Sequence, residues 1–389
     1  MSPASAPITV ADVRRIVEEA YPPHLAESWD KVGLICGDPA APVTKVALAL
    51  DCTEQVAQAA VDCGAQFLLV HHPLLLKGTS TVAADDPKGR VLHTLIRGGV
   101  ALMAAHTNAD CARPGVNDHL AELLGITPGA PIVPAEPQAL DKWGVYVPSS
   151  HVDQVQQALF DAGAGTVGAY DHCSWRVTGT GQFRPLAGAE PTEGTVGTVH
   201  NGAEVRVEFV AGASIRQELV AALRAAHPYE EPAFDICPMA DGAAPESACG
   251  LGRVGTLDRE LTLREFTQRV ADALPQTVWG VRAAGDPDRR ISTVAVCSGS
   301  GDSLLDTVRG LGVDAYVTSD LRHHPVDEYL RAGGPAVIDT AHWASEFPWT
   351  TQAAGIITEA SGLDCHIIDI RTDPWTLSAH AQDHAQDHA

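Results

Sequence analysis

The chain has 389 residues, 45% of them apolar, a length that suggests two or three domains of about 150 residues each with real buried cores. Its 26 basic and 49 acidic residues leave a formal charge of −23, which repels phosphate backbones and argues against general nucleic-acid binding. Nine cysteines, an odd number with no C-x-x-C pair, suggest neither a disulfide framework nor a thiolate zinc site and fit a reducing, cytoplasmic setting. Met1 to Pro7 lack a basic stretch followed by an apolar run, and no apolar run approaches the roughly 20 residues that span a bilayer, so neither export nor a membrane is expected.

Val10 to Tyr21 has the spacing of an amphipathic helix and stops at Pro22-Pro23. Lys45 to Asp51 reads as a buried strand, and Thr53 is a cap for a helix from Glu54 to Cys63, with Gly64 as its stop. Phe67 to Val70 is a second apolar strand, closed by His71-His72-Pro73. This is a strand–helix–strand unit, in which ligands gather at the carboxyl ends of strands. Within a continuing strand, two adjacent histidines diverge to opposite faces; at its end they can flank one spot, as ligands for two neighbouring metal ions. Pro73 supports such an ending, because it biases His72 toward an extended conformation and cannot donate to a ladder. The alternative is two polar caps on a strand end. A helix over Pro87 to Gly98 and a strand over Val100 to Ala105 follow, the strand again ending in polar residues, His106-Thr107-Asn108-Ala109-Asp110. Three strands thus deliver Asp51, His71 with His72, and His106 with Asp110 toward one edge, a coincidence that favours metal binding. Asn117-Asp118 is the expected cap of the helix that runs through Leu124 to Gly125.

Residues 126–140, rich in Pro, Gly and Ala, read as a linker. The pattern then changes: strand Lys142 to Val147, helix Val152 to Ala162, strands Arg176 to Phe183 and Glu204 to Phe209, helix Ile215 to Ala226 and strand Phe234 to Pro238. That order is ferredoxin-like, so 141–247 is expected to be an inserted α+β domain. His227, beside Pro228, is read as packing within the insert rather than as a ligand. A second linker, 239–250, returns the chain to the main fold.

Thr262 caps a predicted helix from Leu263 to Leu274, and strands are expected over Thr277 to Ala283, Ile291 to Val296, Ala315 to Thr318, Ala336 to Ile338 and His366 to Ile370. Helices Ser303 to Gly310, Pro325 to Ala332 and Ala344 to Ala360 alternate with them. The loop Cys297-Ser298-Gly299-Ser300-Gly301 lies between a strand and a helix, where backbone N–H groups can cradle a phosphate; a ligand-free tight turn is the equal alternative, and no Walker lysine follows. His342 and Glu346 stand at i and i+4, one face of a helix, a way to present two ligands to a dinuclear site. With the N-terminal cluster they make a set of imidazoles and carboxylates without thiolates, suited to zinc, manganese or iron(II). The expected fold is therefore α/β, with two related lobes, 1–140 and 248–375, forming one dinuclear-metal domain around the insert. The tail 376–389, whose Ala-Gln-Asp-His repeats space His380, His384 and His388 four apart, is read as disordered.

Several of these stretches together resemble a known family, the GTP cyclohydrolase 1 type 2 homologues, also called NGG-interacting-factor-like proteins. The resemblance runs from about residue 10 to 375. It rests on Trp29-Asp30-Lys31-Val32-Gly33-Leu34, His71-His72-Pro73-Leu74, His106-Thr107-Asn108-Ala109-Asp110, Gly115-Val116-Asn117-Asp118, Ser298 to Gly301, Ser319-Asp320-Leu321, and His342 with Glu346. The insert, with Gly179-Thr180-Gly181-Gln182-Phe183 and His227-Pro228-Tyr229-Glu230, resembles the PII/CutA-like domain of the longer members. The resemblance implies two divalent metal ions held by His71, His72, Asp110, His342 and Glu346, with Glu346 bridging, and His106 beside them orienting a ligand or moving protons. It also implies a ring-shaped homohexamer whose metal sites face an internal cavity. Lys31 stands where the family usually has Asn, Ser319, Ala341 and Ser345 replace Gly, Gly and Thr, and Trp343 replaces Tyr; none of these removes an implied ligand.

Two functions are compatible with this reading. One is a metal-dependent hydrolase acting on a nucleotide, a cyclic amide or a phosphoester, with His106 as proton shuttle and the Ser298 to Gly301 loop as phosphate rest. The other is a metal-holding scaffold or regulatory protein, which the insert favours, since PII/CutA-like modules usually sense or assemble.

Overall fold

The computed structural model describes residues 7–136, 139–167, 170–240 and 248–379. The tail histidines His380, His384 and His388 lie outside the described residues. The polypeptide divides into two compact units, one made of residues 136–243 and the other of the segments on either side.

The larger unit holds two mixed sheets. The first has five strands in the spatial order Gly33–Cys36, Ala101–Ala104, Phe67–Val70, Lys45–Ala49 and Asp364–Ile367. All neighbours run parallel except the edge strand Gly33–Cys36. The central strands are continuous apolar runs because both faces are covered. Phe67 and Leu69 pack with Val13, Val17 and Trp349 on one side, while Leu68 and Val70 pack with Val56 and Leu95 on the other. The helix Val10–Ala20 that covers the first face starts with a capping box, in which Thr9 and Asp12 satisfy each other's backbone N–H groups.

The second sheet has six strands, in the order Arg282–Ala284, Ala336–Thr340, Ala315–Ser319, Arg290–Ser300, Arg253–Thr262 and Ile126–Pro128. Its three middle strands, Ala336–Thr340, Ala315–Ser319 and Arg290–Ser300, are parallel, so their carboxyl ends lie on one edge.

Several expectations change. The stretches read as linkers contribute strands: Ile126–Pro128 pairs with the Arg253–Thr262 strand, and Val133–Pro134 pairs with Gly250–Leu251. Buried Ile126 and Ile132 anchor them in a Pro- and Gly-rich context that conceals their apolar role. Gly115, not Asn117-Asp118, starts the helix Val116–Leu123; Asp118 sits one turn in and accepts from the Gly115 N–H at 2.9 Å. The single helix expected over 344–360 is two, His342–Glu346 and Trp349–Ser361, because Pro348 between them has no N–H to donate. The strand expected over 277–283 shrinks to Arg282–Ala284. The last strand, Asp364–Ile367, pairs with Lys45–Ala49 in the first sheet instead of extending the second.

Arg253 is fully buried in this unit. Its guanidinium donates to both carboxylate oxygens of Asp118, at 2.8 and 2.7 Å, and to the carbonyls of Ala112, Gly250 and Gly252.

The smaller unit is a four-stranded antiparallel sheet, in the order Phe234–Pro238, Leu140–Pro148, His200–Gly212 and Ser174–Phe183. The helices Val152–Asp161 and Arg216–Ala226 bring Val155, Leu159, Leu219 and Leu223 against Trp143, Val145, Val147 and Phe209. Trp143 is stacked between Phe209 and Phe234, with ring centroids 5.8 and 5.9 Å away.

Candidate metal centre

The parallel strands explain why the polar residues meet. His71 and His72 follow the strand Phe67–Val70, and Asp110 lies in the one-turn helix Thr107–Cys111 just after Ala101–Ala104. His342 and Glu346 form the short helix that follows Ala336–Thr340 of the second sheet. The carboxyl ends of strands from both sheets thus face a common point. Glu346, 3% exposed, lies at its middle. Its Oε2 is 3.0 Å from His72 Nε2 and 3.1 Å from His342 Nε2, and its Oε1 is 3.8 Å from His71 Nε2. Asp110 Oδ1 is 3.7 Å from the same His71 nitrogen.

Two overlapping groups have ligand atoms within 4.8 Å of one another and share Glu346: His72 with His342, and His71 with Asp110. A third group joins His71, His72 and His106.

Each imidazole is oriented from behind. His71 Nδ1 lies 2.8 Å from the Ala105 carbonyl, His72 Nδ1 2.7 Å from Asp51 Oδ1, and His342 Nδ1 2.7 Å from Asp320 Oδ2. These partners require Nδ1 to donate, so each Nε2 turns inward. Thr372 donates to the other Asp51 oxygen. His106 is arranged alike: its Nδ1 lies 3.0 Å from Asp30 Oδ1, and its ring centroid is 5.1 Å from that of His71.

Whether these residues suit a metal ion is tested by their unmet needs. His71 Nε2 and Glu346 Oε2 are buried and have no hydrogen-bond partner, despite the short distances to Oε2. Buried polar atoms are nearly always paired. A cation satisfies a lone pair and a carboxylate oxygen together, with no need for aligned hydrogen bonds. The donor set fits.

The electrostatics agree. Burial pulls the His71 pKa down to about 3, only partly opposed by Glu346, so its imidazole is neutral and has a free lone pair. For His72 burial pulls the same way but is outweighed by the carboxylates of Glu346 and Asp51, which lift it to about 10. The same balance, with Glu346 and Asp320, lifts His342 to about 11. Burial pushes the Glu346 carboxyl up, but His342 and His72 pull it well below the usual carboxylate range. Asp110 is raised, first by burial and then by the charge on Glu346.

Of the two readings the sequence leaves open for one loop, the phosphate site falls away here. The loop Ser298 to Gly301 is no phosphate cradle: Ser298 N donates to Asn117 Oδ1 at 2.8 Å and Gly299 N to Ser345 Oγ at 3.0 Å. Its role is to wall the centre, with Ser298 Oγ donating to Asp110 Oδ1 at 3.2 Å. Cys297 is buried, and burial pushes its thiol pKa far up, which keeps it a protonated thiol beside the centre. His227 lies in the smaller unit with both ring nitrogens occupied, Nε2 against the Tyr146 carbonyl at 2.9 Å and Nδ1 accepting from Tyr229 N at 3.1 Å. The sequence reading placed Asp51 near the cluster but missed Asp320 and Asp30 as orienting carboxylates. The position of Asp320 immediately after the strand Ala315–Ser319 was the available signal.

Gly299 makes a sharp prediction. Its φ is +59°, and a Cβ there would collide with Glu346 Oε1 and approach His342 Nε2. Gly299→Ala is expected to displace the carboxylate and weaken zinc binding by at least about tenfold, read by isothermal titration, with the far-UV circular dichroism unchanged.

A family model described as Duf34/NIF3 (NGG1p interacting factor 3) matches residues 8–374. The chain belongs to the Duf34/NIF3 family. A relative from Mycobacterium leprae, named GTP cyclohydrolase 1 type 2 homolog, is 53% identical over 373 residues, covering 95% of this chain and 96% of its own. One of the same name from Bacillus subtilis is 38% identical, covering 93% and 97%. Among solved structures, a Bacillus cereus protein related to NIF3 superposes with a TM-score of 0.75 at 33% identity, over 96% of this chain and all of that one. The mixed α/β architecture is thus that of a Duf34/NIF3 protein. Among the described residues no helix is long and apolar enough to cross a membrane.

Proposed function

We propose that this protein is a metal-dependent hydrolase with two divalent ions, one held by His71, Asp110 and Glu346 and the other by His72, His342 and Glu346. The observation that carries this reading is the pair of buried, unpartnered atoms, His71 Nε2 and Glu346 Oε2, at the junction of two ligand groups. Zinc, manganese and iron(II) all suit imidazole and carboxylate donors. When bound, the ions supply Lewis acidity and lower the pKa of water toward neutrality.

The chain's own residues do the rest. Glu346 fixes the spacing of the two halves. Asp51 and Asp320 hold His72 and His342 in the tautomer that points Nε2 inward. His106, with Nδ1 engaged by Asp30, keeps Nε2 to take a proton from the attacking water or pass one to the leaving group. Burial raises the Asp30 pKa, but hydrogen bonds from His106 and Thr107 lower it further, which keeps this carboxylate ionised behind the imidazole. Nucleotides, cyclic amides and phosphoesters are the substrate classes this centre serves, and the name of the relatives points to the first.

The smaller unit, whose sheet runs in the order fourth, first, third and second strand, is read as a ferredoxin-like, PII/CutA-like insert. With it we propose a cytoplasmic homohexamer. The insert also favours the second reading, a metal-holding scaffold or regulator. Full-length protein loaded with zinc, manganese or iron(II) is to be checked by elemental analysis and offered a hydrolase panel that includes GTP with formate detection. A metal content near two per chain with turnover supports the hydrolase; full loading with no turnover on any substrate leaves the scaffold.

Metal uptake is expected to depend on pH. In the metal-free chain His72 and His342, with pKa values raised above the ordinary 6.5, hold protons that stabilise the fold below that pH. This contribution is lost only as pH rises through about 10 to 11. Metal must displace those protons at neutral pH. The apparent affinity for zinc should therefore climb between pH 6 and 9, with about two protons released per chain, counted by titration calorimetry in buffers of different ionisation enthalpy.

A further inference from the structure

Beside the metal centre lies a cavity of about 380 Å³, a volume suited to a molecule of one or two rings. His72 and His342 line it, so whatever enters meets the rings assigned to the metal. Three of the chain's seven tryptophans also line it, Trp279, Trp343 and Trp375. Trp343 is covered on one face by Phe347, with ring centroids 4.5 Å apart. Trp279 and Trp375 instead lie 6.1 Å apart at 35° and are 38% and 60% exposed. Large aromatics left open in a concave site are the surface on which flat rings stack.

The charges around this surface decide what kind of ring. The lining contains the carboxylates Asp51, Asp320 and Asp373 and, among the described residues, no lysine or arginine. The nearby guanidiniums serve the indoles: Arg282 lies 4.4 Å over the Trp279 ring and Arg371 lies 5.7 Å from the Trp343 centroid. Arg282 is also held by Asp339 at 2.7 Å. A phosphate tail on this side would face three carboxylates with no lysine or arginine to meet it; the cationic groups of the lining, His72 and His342, are committed to Glu346 and to the metal. Asp320 spends Oδ2 on His342, while Oδ1 has no hydrogen bond among the described residues. Its side chain is 51% exposed at the cavity, on a backbone held at φ +58°. An open carboxylate oxygen accepts from an N–H.

We infer that this cavity binds a planar heterocycle carrying N–H donors, neutral or cationic and without a phosphate on this face, stacked on Trp279 and Trp375 with an N–H to Asp320. The inference rests on the hydrolase reading, for which it names the substrate class.

The test uses the full-length, metal-loaded protein and two probes of similar size: isocytosine, which has a ring N–H and an exocyclic amino group, and benzoate, which is anionic and lacks N–H donors. Binding is read by calorimetry and saturation-transfer NMR, with Trp375→Ala, an exposed position, as the variant. The expected result is saturable isocytosine binding, at least about tenfold tighter than that of benzoate and weakened about tenfold by Trp375→Ala. Absent isocytosine binding, equal affinity for benzoate, or an affinity unmoved by the variant overturns the inference. If Trp375→Ala lowers the mass by light scattering while isocytosine affinity holds, the indole is a subunit contact and the inference falls too. Elemental analysis of the same samples separates the two readings. Isocytosine binding that Trp375 controls, without metal in the protein, retains the cavity and removes the metal centre. Full metal content without isocytosine binding does the reverse.

Discussion

Glu346→Gln should empty both halves of the metal centre at once while the chain stays folded. Glutamine keeps the shape but removes the charge, and Glu346 is common to both groups of ligand atoms. The side chain is buried against His71, His72 and His342, so water cannot replace the missing charge. Losing a residue that merely orients a ligand typically costs 10–100-fold in metal affinity; losing a shared carboxylate should cost more than about a hundredfold. Elemental analysis after dialysis and zinc calorimetry read the loss. Retention of one ion per chain would show that the two halves do not depend on a common carboxylate. The variant also separates the two functional readings. A hydrolase loses turnover and keeps its assembly, whereas a metal-stabilised scaffold loses assembly or thermal stability, because metal binding is linked to folding.

The largest effect on stability is expected at Arg253. Arg253→Ala removes a fully buried guanidinium that donates to Asp118 and to the carbonyls of Ala112, Gly250 and Gly252. Asp118, 4% exposed, is then a buried carboxylate whose remaining cation, Arg113, stands 3.9 Å away and does not replace the lost bidentate pair. Breaking one side of such a pair costs about 3–5 kcal/mol, a large part of the 5–15 kcal/mol that holds a typical domain together. Urea denaturation should show the loss. Replacing both partners with apolar residues, Arg253→Met with Asp118→Leu, should recover much of it, since no fully buried charge is then left alone and Arg113, partly exposed, keeps the Pro128 and Gly129 carbonyls. If the double variant is no better than the single one, the carbonyls that Arg253 ties together matter more than the ion pair.

The local sequence pattern carried much of the candidate site. An apolar run ended by polar residues marks a buried strand and its carboxyl end, and His71, His72 and Asp110 were visible for that reason. His342 and Glu346 were visible because a spacing of four is one helical turn. What escaped depends on distant partners. Ser298 to Gly301 looked like an anion loop because the groups that occupy its backbone N–H donors, Asn117 and Ser345, are 181 and 46 residues away from the donors they meet. The strand Ile126–Pro128 escaped because it is three residues long and owes its conformation to pairing with Leu257 and its neighbours. Asp30 reaches His106 across 76 residues, a separation no local pattern spans.

The place of Asp364–Ile367 has a consequence for biosynthesis. Until that segment leaves the ribosome, the Lys45–Ala49 strand presents an unpaired apolar edge, and Asp51 behind His72 lacks the Thr372 hydroxyl that steadies it. The emerging chain therefore carries His71 and His72 for most of translation without that neighbouring strand in place. A nascent product stalled before residue 364 is a sticky sheet edge for chaperones and proteases to find.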